Sequence, residues 1–93
     1  MILSFADKET EKIYNLVFSK KLPQSIQGIA FRKLVLLNAA EVVDDLRVPP
    51  GNHLEQLSGD RKGQYSIRIN DQFRICFVFR NNNCCEVEIT DYH

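Results

Sequence analysis

The chain has no tryptophan, one methionine, three prolines and four glycines in 93 residues. It has no internal repeat, low-complexity tract or long linker, so residues 1–93 are expected to form a single domain with a modest core. It also lacks any apolar run long enough to cross a bilayer. The opening "MILSFADKET" has neither a basic n-region nor a long apolar h-region, so neither export nor a membrane partner is expected. Cysteine is scarce and odd in number, at three. Adjacent Cys84 and Cys85 have Cα atoms only about 3.8 Å apart, too close for ordinary disulfide geometry. Free thiols in a reducing cytoplasm are the reading that follows. Net charge is missing too, with 12 basic against 12 acidic residues, so the bulk composition advertises neither nucleic acid nor membrane.

What is present is 44% apolar residues, six Phe among them, in a clear order of patterns. "MILSF" reads as a first strand. "DKETEKIYNLVFSK" places Ile13, Leu16 and Val17 at helical spacing behind an acidic start, with Lys20 and Lys21 near its end. "PQSIQGIAFRKLVLLNAAEVVDDL" is the strongest helical signal, with Ile26, Ala30, Leu34 and Leu37 on one stripe and "RVPPG" as its stop. Gly28 weakens its first turn by up to about 1 kcal/mol relative to Ala. The period then shifts from about 3.6 to 2. "QYSIRI" puts Tyr65, Ile67 and Ile69 on one face, and "FRICFVFR" does the same with Phe73, Ile75, Phe77 and Phe79. "NDQ" and "NNN" are turns, and "CCEVEITDYH" gives Val87 and Ile89 to one face of a last strand. The fold class is α+β: two amino-terminal helices packed on one face of an antiparallel or mixed sheet that includes the amino-terminal strand. The opposite face carries Ser66, Arg68 and Arg74, a polar surface that the core does not require.

That face has a local charge excess. From Arg61 to Arg80 there are five basic residues and one acid, Asp71. In "GDRKG" two glycines bracket Arg61 and Lys62, which suits phosphate, although a solvated turn accounts for the segment equally and no standard phosphate loop is present. Arg74 sits in mid-strand, where a cation is held more firmly than on a loop. His93 titrates near neutrality and follows Asp91 and Tyr92, so it can take or give a proton. Metal binding by His53, His93 and the cysteine pair has no recognised ligand spacing, and no cofactor is expected.

"MILSF", the block "PPGNHLEQLSGDRKGQYSIRINDQFRICF" and the closing "EVEITDYH" together resemble the HigB branch of the RelE superfamily of bacterial toxins. The resemblance covers essentially the whole chain and implies a RelE-like small domain. It also implies a ribosome-dependent messenger-RNA endonuclease, paired with a HigA-type antitoxin containing a helix-turn-helix and reaching operator DNA only through it. The implied reaction needs no metal: the ribose 2′-hydroxyl attacks the adjacent phosphorus in the A site of the 70S ribosome.

By that resemblance Asp91, Tyr92 and His93 match the terminal active-site motif and Arg74 the strand arginine. His93 is the implied proton-transfer group, Arg74 the phosphate ligand, Tyr92 a stacking or hydrogen-bonding residue, and Asp91 a tuning group. Arg61, Lys62 and Arg68 are candidate RNA contacts. Well-known members carry a His where this chain has Glu55 and a Lys where it has Ser58. Glu55 and His53 are therefore competing base candidates, sharing a face if the segment is extended. The alternative is a non-catalytic module that occupies the ribosome or holds an antitoxin on DNA without cutting RNA.

Overall fold

The computed structural model describes residues 1–91, so Tyr92 and His93 lie outside the described residues. Two helices, α1 (Lys8–Tyr14) and α2 (Gln24–Ala39), pack on one face of a four-stranded sheet. The strands β1 (Glu55–Gln56), β2 (Tyr65–Arg68), β3 (Phe73–Arg80) and β4 (Asn83–Asp91) lie in sequence order, each antiparallel to the next. The amino-terminal segment runs beside β4 as a parallel rail of two isolated bridges, Ile2 to Cys84 and Phe5 to Val87, rather than as a full strand. Glu86 explains the interruption. It has φ 52° and bulges out of β4, with its amide donating to Ser4 Oγ at 2.9 Å.

The core is where the periodicities put it. Ile26, Ala30, Leu34 and Leu37 are the buried stripe of α2, facing Ile67, Phe73, Ile75, Phe77, Val87 and Ile89 of the sheet. Both turns follow from asparagine. Asn70 Oδ1 accepts from the amides of Gln72 (2.9 Å) and Phe73 (2.7 Å), closing the β2–β3 connection. Asn81 and Asn82 both take positive φ, as a two-residue hairpin loop requires between β3 and β4.

Both helices are shorter than their sequence patterns suggest. The first is capped at its start by Asp7, whose carboxylate accepts from the Thr10 amide at 2.7 Å. It stops at Tyr14 because Leu16 turns left-handed at φ 61°, with the Leu16 amide donating to Ile13 O and the Val17 amide to Lys12 O. Ile13 is buried as expected, whereas Leu16 and Val17 are carried out of the helix and exposed. The second ends at Ala39, and a separate 3-10 turn spans Val43–Arg47. Asp45 Oδ2 accepts from the amides of Glu41 and Val42, offering the chain a local alternative to another helical turn. Among the described residues, no helix is long and apolar enough to cross a membrane.

Candidate active site

Strand register decides which side chains share the polar face. Directly paired residues project to the same side, so Arg68, Arg74 and Thr90 form one row across the sheet, and Glu55, Ser66, Cys76 and Glu88 form the next. This face is less open than its sequence suggests. Ser66 and Cys76 are fully buried and Arg74 is only 8% exposed. The cover comes from the β1–β2 loop, which turns through Gly59 at φ 65° and Gly63 at φ 94°. From it Arg61 reaches over the sheet to Glu88 on β4, its Nη2 donating to Oε1 at 3.0 Å while Nη1 donates to Gln64 Oε1 at 3.0 Å. Ser66 Oγ lies beneath with no hydrogen-bond partner among the described residues.

Arg74 is anchored at both ends of its fork. Nη1 donates to Glu55 Oε1 at 3.1 Å and Nη2 to the His53 carbonyl at 2.7 Å. Burial of a guanidinium is tolerated because these charge-assisted bonds replace water. The segment that presents His53 is not extended: His53 caps a 3-10 turn (Pro50–Asn52) at φ 45°, and its backbone carbonyl meets Arg74. Even so, His53 and Glu55 line one cleft of about 200 Å³ with Arg68, Asn70, Asp71 and Arg74. The opening brings two carboxylates, an imidazole-bearing residue and two guanidiniums together. It suits an anion with a proton to lose.

Two residues that hold this loop carry no obvious sequence signal. Asn52 is fully buried; its Nδ2 donates to the carbonyls of Leu46 (3.1 Å) and Val48 (3.3 Å), and its Oδ1 accepts from Lys33 Nζ on α2. Burial above all, with help from neighbouring Arg32, lowers the Lys33 pKa. The chain from Lys33 through Asn52 fixes the turn that aims the His53 carbonyl.

The remaining candidates fall at different distances from this centre. Arg68 forms an ion pair with Asp71 in the β2–β3 turn. Lys62 is exposed and makes no ion pair among the described residues. Asp91 pairs with Phe73 in the β3–β4 register, so alternation directs its side chain away from the Arg74 face, where its Oδ2 accepts from Gln72 Nε2 at 3.0 Å. Tyr92 and His93 lie outside the described residues.

With this geometry in hand, comparison with known proteins gives a consistent result. The family described as "RelE-like toxin of type II toxin-antitoxin system HigB" matches residues 3–93. The chain is 47% identical over 78 residues to "Toxin HigB-1" of Vibrio cholerae serotype O1, covering 83% of this chain and 82% of that protein. Among solved structures it resembles a chain of the YoeB-YefM complex from Staphylococcus aureus, with TM-score 0.62 and 15% identity over 100% of this chain and 98% of that one. A chain of the heterotetrameric complex of the YoeB-YefM toxin-antitoxin, from the same organism, superposes equally well at TM-score 0.62. The family match over nearly the whole length and the 47% identity over most of both chains show that the chain belongs to the HigB-like family of RelE-like toxins of type II toxin-antitoxin systems.

Proposed function

We propose that this toxin is a ribosome-dependent messenger-RNA endonuclease of the cytoplasm. The observation that carries the reading is Arg74: a buried guanidinium held at both Nη atoms at the edge of a cleft shared with two base candidates. A base takes the proton of a ribose 2′-hydroxyl. The freed oxygen attacks the adjacent phosphorus, and the 5′ oxygen leaves with a proton from an acid, giving a 2′,3′-cyclic phosphate and a 5′-hydroxyl. Arg74 and Arg68 offset the charge that grows on the phosphate. Glu55 is the better-placed base, because its carboxylate touches the cation that binds the phosphate and is half exposed. His93 is the acid by resemblance, with Tyr92 and Asp91 beside it. Arg61 and Lys62 serve contacts that position RNA rather than read it.

An antitoxin is the expected partner, of the HigA type with a helix-turn-helix. A surface on the helix layer, across the sheet from the cleft, fits it. Leu16, Val17 and Phe18 are 75, 50 and 57% exposed. With Gln27, Gly28 and Phe31 they line an apolar groove of about 260 Å³. Residues 12–40 contain five Lys or Arg and no Asp or Glu, so the segment best matched to the groove is amphipathic and acidic.

The test maps RNA 5′ ends on a defined message programmed into bacterial ribosomes, for the wild type and for His93→Ala. Codon-phased cuts that require the ribosome and fade in the variant are expected. Arrested translation with intact messages overturns the nuclease reading and leaves a non-catalytic ribosome-binding module in its place.

A further inference from the structure

Three arginines of the polar face and the loop beside it are each engaged by a carboxylate of their own chain, whereas Arg80, at the far end of β3, makes no ion pair among the described residues. Arg74 meets Glu55 at 3.1 Å, Arg61 meets Glu88 at 3.0 Å, and Arg68 pairs with Asp71. The acids come from three separate places: β1, β4 and the β2–β3 turn. Two of these pairs are directly within reach of an incoming ligand, since the side chains of Arg61 and Glu88 are each 32% exposed and that of Arg68 is 36% exposed, while Arg74 is reached through the half-exposed Glu55. A phosphodiester arriving here has to exchange places with a carboxylate that makes the same kind of charge-assisted bond. The displaced carboxylate stays nearby and repels it. Such an exchange releases few counterions and yields little affinity.

We propose that Glu55, Asp71 and Glu88 exclude free single-stranded RNA from this face, so that it admits only RNA held in place by a second binding site. The proposal deepens the endonuclease reading and rests on it. Asp71 and Glu88 then act as specificity-determining residues. They need not touch the reacting atoms, and they set the penalty that a ribosome-bound message overcomes by being presented at high effective concentration.

The experiment measures binding of a short fluorescent RNA, 2′-O-methylated throughout so that it cannot be cut, across a salt series. The wild type is compared with Asp71→Asn, Glu88→Gln and the double variant. Each neutralised acid frees one arginine, so the slope of log K against log salt should steepen by about 0.7 per variant and about 1.4 in the double, with about tenfold tighter binding at low salt. Arg61→Gln added to Glu88→Gln should remove that variant's gain. An unchanged slope in a double variant with native circular dichroism overturns the proposal. So does a Glu88→Gln gain that survives loss of Arg61, because the effect is then one of bulk charge. The Asp71 side chain is 95% exposed, so Asp71→Asn keeps its fold and decides the matter even if the double variant does not. Wild-type cleavage on programmed ribosomes is scored in parallel: its absence overturns the endonuclease reading, while the slopes still decide the exclusion of free RNA.

Discussion

Arg74 binds two groups of different kinds, a carboxylate and a backbone carbonyl, and only a planar fork can serve both at once. Arg74→Lys keeps the charge and loses one of the two bonds. Ribosome-dependent cleavage is expected to fall about 10²-fold or more, as when one transition-state donor is removed, with a loss of about 1–3 kcal/mol in urea unfolding for the buried bond. A large loss of stability with unchanged cleavage would make Arg74 a packing residue instead. Cys84 illustrates a purely structural site. Its thiol is fully buried, donates to the Leu37 carbonyl at 3.6 Å, and is pushed up from 9.0 to about 11. Burial is the main cause, the amino-terminal ammonium pulls the other way, and Cys85 adds to the rise. Because the folded pKa is the higher one, its stabilising contribution is complete below 9.0 and is lost as pH climbs toward about 11. Urea unfolding below and above that window should show a loss of up to about 2 kcal/mol that is absent in Cys84→Ala.

At the scale of elements, Gly28 and Asn52 behave oppositely. Gly28 lies on an exposed turn of α2, and a Cβ there meets nothing within 4 Å. Gly28→Ala should therefore stabilise the fold by about 0.5–1 kcal/mol, seen as a raised urea midpoint. Asn52 has no such freedom. Asn52→Asp keeps the acceptor for Lys33 but removes the donor to two carbonyls, and should cost about 2 kcal/mol. Cleavage should fall further than stability, since the next residue supplies the carbonyl that anchors Arg74.

Elements of this kind also show what the sequence reveals. The stripe Ile26, Ala30, Leu34 and Leu37 was readable because period 3.6 reports burial directly, and the alternating strands were readable by period 2. The helix ends were not, because a left-handed Leu16 and the carboxylate of Asp45 are side-chain and backbone events with no periodic signature. Arg74 was identifiable as a strand cation, but its burial was not. That goes with its bonds to Glu55 and to the His53 carbonyl, contacts between residues 19 and 21 apart that exist only once the chain has folded. Asn52, in "PPGNH", carries no periodic signature, and only the fold reveals its buried bonds to Lys33 and two carbonyls.

For the molecule as a whole, a domain of 93 residues has a stability of order 5–10 kcal/mol, concentrated in one core. Phe77, fully buried on β3, holds a large share of it. Phe77→Ala should cost about 3–5 kcal/mol, seen by calorimetry as a melting temperature lowered by more than about 10 °C.

The acid-free run of residues 12–40 has one more consequence. Since the whole chain is neutral, the five cations of that run leave seven basic and twelve acidic residues elsewhere. Residues 12–40 thus carry a net +5 and the rest of the chain, with Asp7, Glu9 and Glu11 at the start of α1, a net −5, so the charge is unevenly spread. At its pI of about 6.7 it should still be retained by a cation-exchange resin at low ionic strength, residues 12–40 inward, and by an anion exchanger in another orientation. Lys20→Gln with Lys21→Gln should shorten the first retention and leave the second intact. A toxin so polarised turns in the field of a charged partner before it touches it.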